Sequence, residues 1–166
     1  EYLDKLVFLA SPVSIKKQNK QHRDWVSILV NQKTLNNGKL FFEKHKIHFL
    51  NAQKDTGVQA SDIISILNWE SALGKYRGKY EIFKIFIHQY FHIDEVEFEL
   101  FKKGHYQKKG AMDRPAAVKR LKKIKKRALN NLSQLLIWAR QTGFDPKIVK
   151  GSWAGAIGIP QFMPAS

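Results

Sequence analysis

Residues 115–143 read PAAVKRLKKIKKRALNNLSQLLIWARQTG. Within them Leu121, Ile124, Ala128, Leu132, Leu135 and Ala139 recur three and four residues apart, which lays them along one side of an α-helix. Pro115 stands at the start, where a missing N–H is tolerated, and Gly143 follows as a residue suited to a left-handed cap. The spacing predicts a helix over 116–142, the longest in the chain, and a mostly α fold.

Working outward, Ile82–Phe91 is apolar and aromatic and predicts another helix. Asp94–Phe101 alternates acid with apolar and fits a strand or a helical turn. Lys102–Arg114 is basic and Gly-containing and predicts an excursion. Further back, Ser61 is expected to cap a helix through IISILNWESAL, with Asp62 in its first turn and its end near Gly74. Lys39–Asp55 has helical spacing, with Leu40, Phe41, Ile47 and Leu50 as its expected stripe and Thr56-Gly57 as its stop. Asn36-Asn37-Gly38 reads as a turn. Trp25–Val30 is a short apolar run, helix or strand, and residues 11–24 read as a polar arm. Two parts are expected: an arm with short elements over 1–37 and the main domain over 38–166.

The chain has 166 residues, enough for one domain with a real core. It has no cysteine, which excludes disulfides, thiolate metal sites and a cysteine nucleophile. No apolar run approaches the roughly 18 residues of a membrane-spanning helix, and Leu6–Ala10 is too short for a signal-peptide core. Lys and Arg number 29 against 14 Asp and Glu, a net charge of 29 − 14 = +15. Such a charge attracts polyanions: nucleic acid, anionic membranes or acidic polysaccharides.

One acid stands out. Ile63, Leu67, Glu70 and Gly74 fall on one line of a helix, flanked by Trp69 and Leu73. A carboxyl on an apolar face is partly desolvated, which raises its pKa and suits it to protonate a glycosidic oxygen. A Glu at the edge of a stripe, reaching solvent or a Lys, satisfies the same pattern.

Two motifs carry more. WESALGKYRG at 69–78 and KGSWAGAIGIPQFMPAS at 150–166 together resemble the lytic murein transglycosylase B family. Its E-S/T-x-x-G-x-x-x-G signature is met by Glu70, Ser71, Gly74 and Gly78. Its G-S-x-A-G-A-x-G-x-x-Q-F-M-P-S/A-S signature is met from Gly151 to Ser166. The resemblance implies a lysozyme-like catalytic domain that cleaves the β-1,4 bond between N-acetylmuramic acid and N-acetylglucosamine. It implies that Glu70 acts first as acid and then as base, forming a 1,6-anhydro end without water. That is lyase chemistry. Ser152 and Gln161 carry over as polar groups near the carboxyl and the sugar. No metal and no cofactor is expected within this chain. The implied partner is the peptidoglycan glycan strand, with peripheral contact to anionic envelope polymers and without nucleic acid. The implied setting is the periplasm or cell envelope, any membrane anchor lying in residues outside this chain.

There are departures. The family's Pro-Arg-Arg segment is replaced by Lys122, Lys123, Lys125, Lys126 and Arg127, residues 92–120 look like an insertion, and family members continue well past the second motif. The domain is therefore expected to be truncated on its C-terminal side. Gly151, Gly155 and Gly158 fit close backbone approach to Glu70 and a sugar, or plain turn-making. Phe162 and Met163 read as packing residues. Tyr76 and Tyr80 fit sugar stacking or structure. His88 and His92 have the i, i+4 spacing of a zinc pair, but Gln89 stands where a metalloprotease has Glu, so packing or solvated histidines are expected. KRLKKIKKR at 119–127 is either a solvated helix face or a polyanion contact. Asp94–Glu99 fits a solvated surface or a partner for that cluster. The competing readings are a peptidoglycan-binding domain without catalysis and a basic nucleic-acid-binding module.

Overall fold

The computed structural model describes residues 24, 26–107 and 112–166. The readings of Leu6–Ala10, 11–23, Trp25 and 108–111 lie outside them. The described residues are mainly helical, as the spacing predicts, with two strands of two residues each. They fall into two compact units. One runs to Arg77 and includes Gly158–Gln161; the other holds Gly78–Ile157 and Phe162–Ser166. No helix among them is long and apolar enough to cross a membrane.

The first unit contains α1 (Gln32–Lys44), α2 (Lys46–Thr56) and α3 (Ala60–Ser71). Residues 26–29 are also helical. The expected turn at Asn36-Asn37-Gly38 does not form. Asn31 and Thr34 make a reciprocal capping box, each side chain accepting from the other's N–H at 3.1 Å, and this starts α1 well upstream. Gly38 lies within α1, where a Cβ would make only an ordinary contact, 3.5 Å from Cγ2 of Ile64 on α3. The helix expected over 39–55 is broken at His45, whose N–H bonds back to Phe41 and Phe42.

The expected stripe is also out of phase. Leu40, Ile47 and Leu50 are exposed, at 70%, 64% and 44%. The residue that goes inward is Phe49, with the rings of Phe41 and Phe42 each 6.0 Å from its own. Gly57 closes α2 in the left-handed conformation, as expected.

Ser61 is not the cap of α3. Gln59 holds that position, and the side chain of Gln53 on α2 accepts from the N–H of Ala60 at 3.1 Å. A side chain from a neighbouring helix thus satisfies a terminal donor that a local Ser or Asp otherwise would. Asp62 does sit in the first turn.

In the second unit, β1 (Tyr80–Glu81) leads into α4 (Ile82–Phe91), α5 (Ile93–Lys102) and a 3₁₀ turn at His105–Gln107. The spine is α6 (Arg114–Thr142), followed by a 3₁₀ turn at Pro146–Ile148 and β2 (Lys150–Gly151). Asp113 caps α6 by accepting from Ala116 N–H at 2.9 Å, Pro115 lies in its first turn, and Gly143 ends it at φ 79°. Leu121, Ile124, Ala128, Leu135 and Ala139 are buried and Leu132 is half-buried, so the stripe has the expected phase.

Two clusters divide the length of α6. Ile93, Val96 and Leu100 of α5 pack on Leu121 and Ile124. Ile82, Ile85 and Phe86 of α4 pack on Ala128 and Leu135. Asp94–Phe101 is therefore helical: the i, i+3, i+7 set Ile93, Val96, Leu100 settles the ambiguity. Its acids reach α6 at two points, Asp94 to Lys125 and Glu97 to Arg114 at 2.8 Å.

Candidate active site

α3 ends abruptly after Glu70, and the way it ends builds the site. Ser71 is 2% exposed. Its Oγ donates to the carbonyl of Leu67 at 3.3 Å and accepts from the N–H of Gly74 at 2.9 Å. The N–H of Leu73 bonds back to Leu67 O at 3.1 Å, and that of Tyr76 to Ser71 O at 2.8 Å. Ala72, Leu73 and Gly74 are all left-handed, at φ 49°, 58° and 91°. Two successive non-glycine residues in that region carry strain of order 1–3 kcal/mol each, held by the bonds around them. The strain is local to the acid: the chain turns away at once and leaves Glu70 on the last helical turn.

Glu70 is exposed. Of the two readings of this acid, the one in which it sits at the edge of the stripe and reaches solvent is what the structure has. The inward line of α3 runs through Ala60, Ile64, Leu67 and Ser71, one position round from the line through Glu70, and Gly74 lies beyond the helix. Trp69, 42% exposed, instead lines an apolar groove of about 850 Å³ with Leu35, Phe42 and Ile64; Glu70 is not part of that lining.

Gln161 belongs to the same unit as Glu70. It is half-buried, left-handed at φ 54°, and donates from Nε2 to Gly158 O at 2.8 Å and to Arg77 O at 3.4 Å. Ile159 meets the Glu70 turn too: a Cβ on Gly74 would stand 3.2 Å from its Cγ1. The tail segment Gly158–Gln161 is thus fastened to both ends of the 74–77 turn.

Ser152 lies in the other unit. Its Oγ accepts from Ala156 N–H at 3.0 Å and its N–H donates to Ala156 O at 2.8 Å, which closes a tight loop. The glycines around it answer to packing. Tyr80 pairs with Gly151, and a Cβ on Gly78 would come within 2.0 Å of the Gly151 backbone. A Cβ on Gly155 would reach 2.4 Å from the Phe86 ring. Gly158, at φ 74° with only Pro160 near it, fits turn-making, whereas Gly151 and Gly155 answer to a requirement neither reading named, the fit of the backbone onto the domain's own core. Met163 packs on the α4 cluster, whereas Phe162 is 59% exposed, against the expectation of packing. Tyr80 packs on that cluster and Tyr76 is 65% exposed.

Sequence reasoning passed over one anchor. Asn131, 1% exposed, accepts from Ala165 N–H at 3.1 Å and donates to Arg127 O at 2.8 Å, so it latches the tail to α6. An Asn within an otherwise apolar stripe was the available signal. His88 and His92 stack at 5.3 Å, and His92 Nδ1 meets Glu95 at 2.9 Å. Among the described residues no three His, Cys, Asp or Glu side chains group to hold a metal.

The transglycosylase SLT domain family matches residues 6–166. The chain belongs to that family. The SLT domain is similar in structure to the soluble lytic transglycosylase SltB1 of Pseudomonas aeruginosa, with 27% identity and a TM-score of 0.61 over 85% of this chain and 38% of that one. It shares its fold with the lytic transglycosylase Slt35 of Escherichia coli, solved in complex with calcium, at 22% identity and a TM-score of 0.61 over 86% of this chain and 36% of that one. Slt35 in complex with bulgecin A matches to the same extent. The SLT domain thus spans less than two fifths of the length of these structures. No curated protein matches it.

The Ser71 hydroxyl fixes the Glu70 turn, so Ser71→Ala is expected to cost about 1–3 kcal/mol by stranding the partly buried Gly74 N–H. Thermal unfolding reads this as a fall of several degrees in Tm. An unchanged Tm would show that the left-handed turn is held by its backbone bonds alone.

Proposed function

We propose that this SLT domain is a peptidoglycan lytic transglycosylase in which Glu70 serves as both acid and base. The observation that carries the reading is the Glu70-Ser71 pair at the end of α3. The acid is presented on a turn locked by a buried Ser71 and fastened by the Gly158–Gln161 segment. Glu70 protonates the glycosidic oxygen between N-acetylmuramic acid and N-acetylglucosamine. Its carboxylate then takes the proton of the muramic C6 hydroxyl as that oxygen attacks C1, giving a 1,6-anhydro ring. The attack is intramolecular, with the entropic advantage that brings. Because Glu70 is exposed, exclusion of water around it falls to the bound strand.

Neither motif, 69–78 nor 150–166, supplies an acid besides Glu70, and one carboxylate in two roles needs none. Asp62 lies eight residues before Glu70, about 12 Å along the axis at 1.5 Å per residue. Paired glycosidase carboxylates stand roughly 5–9.5 Å apart. Ser152 and Gln161 are assigned to orienting the sugar. The reading requires no metal or cofactor and sets the domain in the periplasm or cell envelope.

Digestion of purified sacculi tests it by product. Muropeptides are expected to end in 1,6-anhydro-N-acetylmuramic acid, lighter by one water than hydrolysed ends and resistant to borohydride. Reducible ends alone would make the protein a hydrolase with a second base. Binding to sacculi without any product would favour the non-catalytic reading.

A further inference from the structure

Between Arg114 and Thr142, α6 carries nine basic residues and no acid. Two of the nine are matched by α5: Arg114 pairs with Glu97, and Lys125 with Asp94. The remaining acids of α5 are occupied elsewhere, Glu95 with His92 and Glu99 with Lys103. Lys119, Arg120, Lys122, Lys123, Lys126 and Arg127 are exposed and make no ion pair with the described residues. The buried stripe faces Leu121, Ile124 and Ala128 inward, so Lys119, Lys122, Lys123 and Lys126 form the opposite, outward row.

This row is costly as it stands. Lys119 with Lys122 and Lys123, Lys122 with Lys126, and Lys123 with Lys126 and Arg127 are like charges three or four residues apart, which repel on a helix. A polymer with repeated negative charge relieves all of these contacts together. From 119 to 127 the row extends about 12 Å along the axis. The exposed apolar residues of α6, Leu129, Leu136, Ile137 and Trp138, lie beyond the C-terminal end of this row.

We infer that this outward face of α6 docks the carboxylates of the stem peptides carried by peptidoglycan strands. The contact adds affinity for peptide-bearing strands and takes no part in the cleavage of bare glycan. The inference rests on the proposed function for its choice of polyanion. The contact holds the enzyme on the wall by charge, separately from the chemistry at Glu70.

The test is co-sedimentation with intact sacculi in a Glu70→Gln background, which prevents digestion, across a series of salt concentrations. Lys122→Gln, Lys123→Gln and Lys126→Gln are combined. Each cation beside an anionic surface contributes roughly fivefold, so retention is expected to weaken by about a hundredfold at low salt, with a shallower salt dependence. Sacculi whose carboxylates have been amidated with carbodiimide should lose the unsubstituted chain equally, a readout that does not depend on how the variant folds. Equal retention of the triple variant, or undiminished binding to amidated sacculi, would overturn the inference. Tighter binding at the same salt to duplex DNA, or to vesicles containing phosphatidylglycerol, would overturn it too. Activity on peptide-free strands should be unchanged by the three substitutions. If peptide-free strands yield no anhydro ends while charge-dependent retention persists, it is the catalytic reading that fails, not the docking face.

Discussion

Glu70→Gln is expected to leave a folded domain that no longer turns over peptidoglycan. Gln keeps the shape of the side chain and its capacity to hydrogen-bond, but it neither gives nor takes a proton. General acid–base catalysis contributes about 10²–10⁴-fold, and under the proposed mechanism, with a single group used in both half-reactions, the loss falls at the upper end of that range. The structure adds a second half to the prediction. Glu70 is exposed and the turn after it is held by Ser71, so stability should shift by no more than about 0.5 kcal/mol. Product release from sacculi and thermal unfolding are measured on the same preparation. A folded, active Glu70→Gln protein would remove Glu70 from the mechanism; a collapsed one would make the acid structural.

The second large effect is on the fold. Gly78→Ala places a methyl group within 2.0 Å of the Gly151 backbone at a position with φ 86°. The left-handed conformation costs about 1 kcal/mol for Ala, and forcing packed backbone apart typically costs 1–3 kcal/mol more. A total of about 2–4 kcal/mol is expected, with loss of the Tyr80–Gly151 pairing. Gly57→Ala supplies the comparison. It has a similar φ of 75°, but nothing stands within 4 Å of the added carbon. Its cost should stop near the conformational term alone. Denaturant unfolding of both variants separates strain from collision, and equal midpoints would show that the β1–β2 contact yields without penalty.

How far the sequence could be read depended on how decisively each segment was patterned. α6 has a single apolar line set among charges, so its phase, its proline start and its glycine end were all legible. α3 carries Ile63, Ile64, Ile66 and Leu67 in five positions, and so much apolar surface leaves the inward direction open. That is why two readings of Glu70 stayed open, and why Ser71, which holds the buried position, was not singled out. The start of α3 was missed because its cap comes from Gln53, on another helix. The turn read at Asn36-Asn37-Gly38 was overridden by the capping box upstream. Local preference is a weak prior against tertiary contact. The motif residues themselves were visible, but not the reason for their glycines. That reason is the approach of Gly155 to Phe86 and of Gly78 to Gly151, pairs far apart in the chain.

The tail contributes Gly158–Gln161 to one unit while the residues on either side, joined by mutual bonds between Ile157 and Phe162, belong to the other. Neither unit is a continuous stretch of gene. A recombination event that moved the coding sequence through Arg77 would carry the Glu70 helix without Ile159 and Gln161, and one that moved the remainder would carry those residues without the turn they secure. The chain's two signatures must change in step, so substitutions at Gly74 or Arg77 are expected to be accommodated by compensating ones at Ile159 or Gln161 rather than by exchange of modules between relatives.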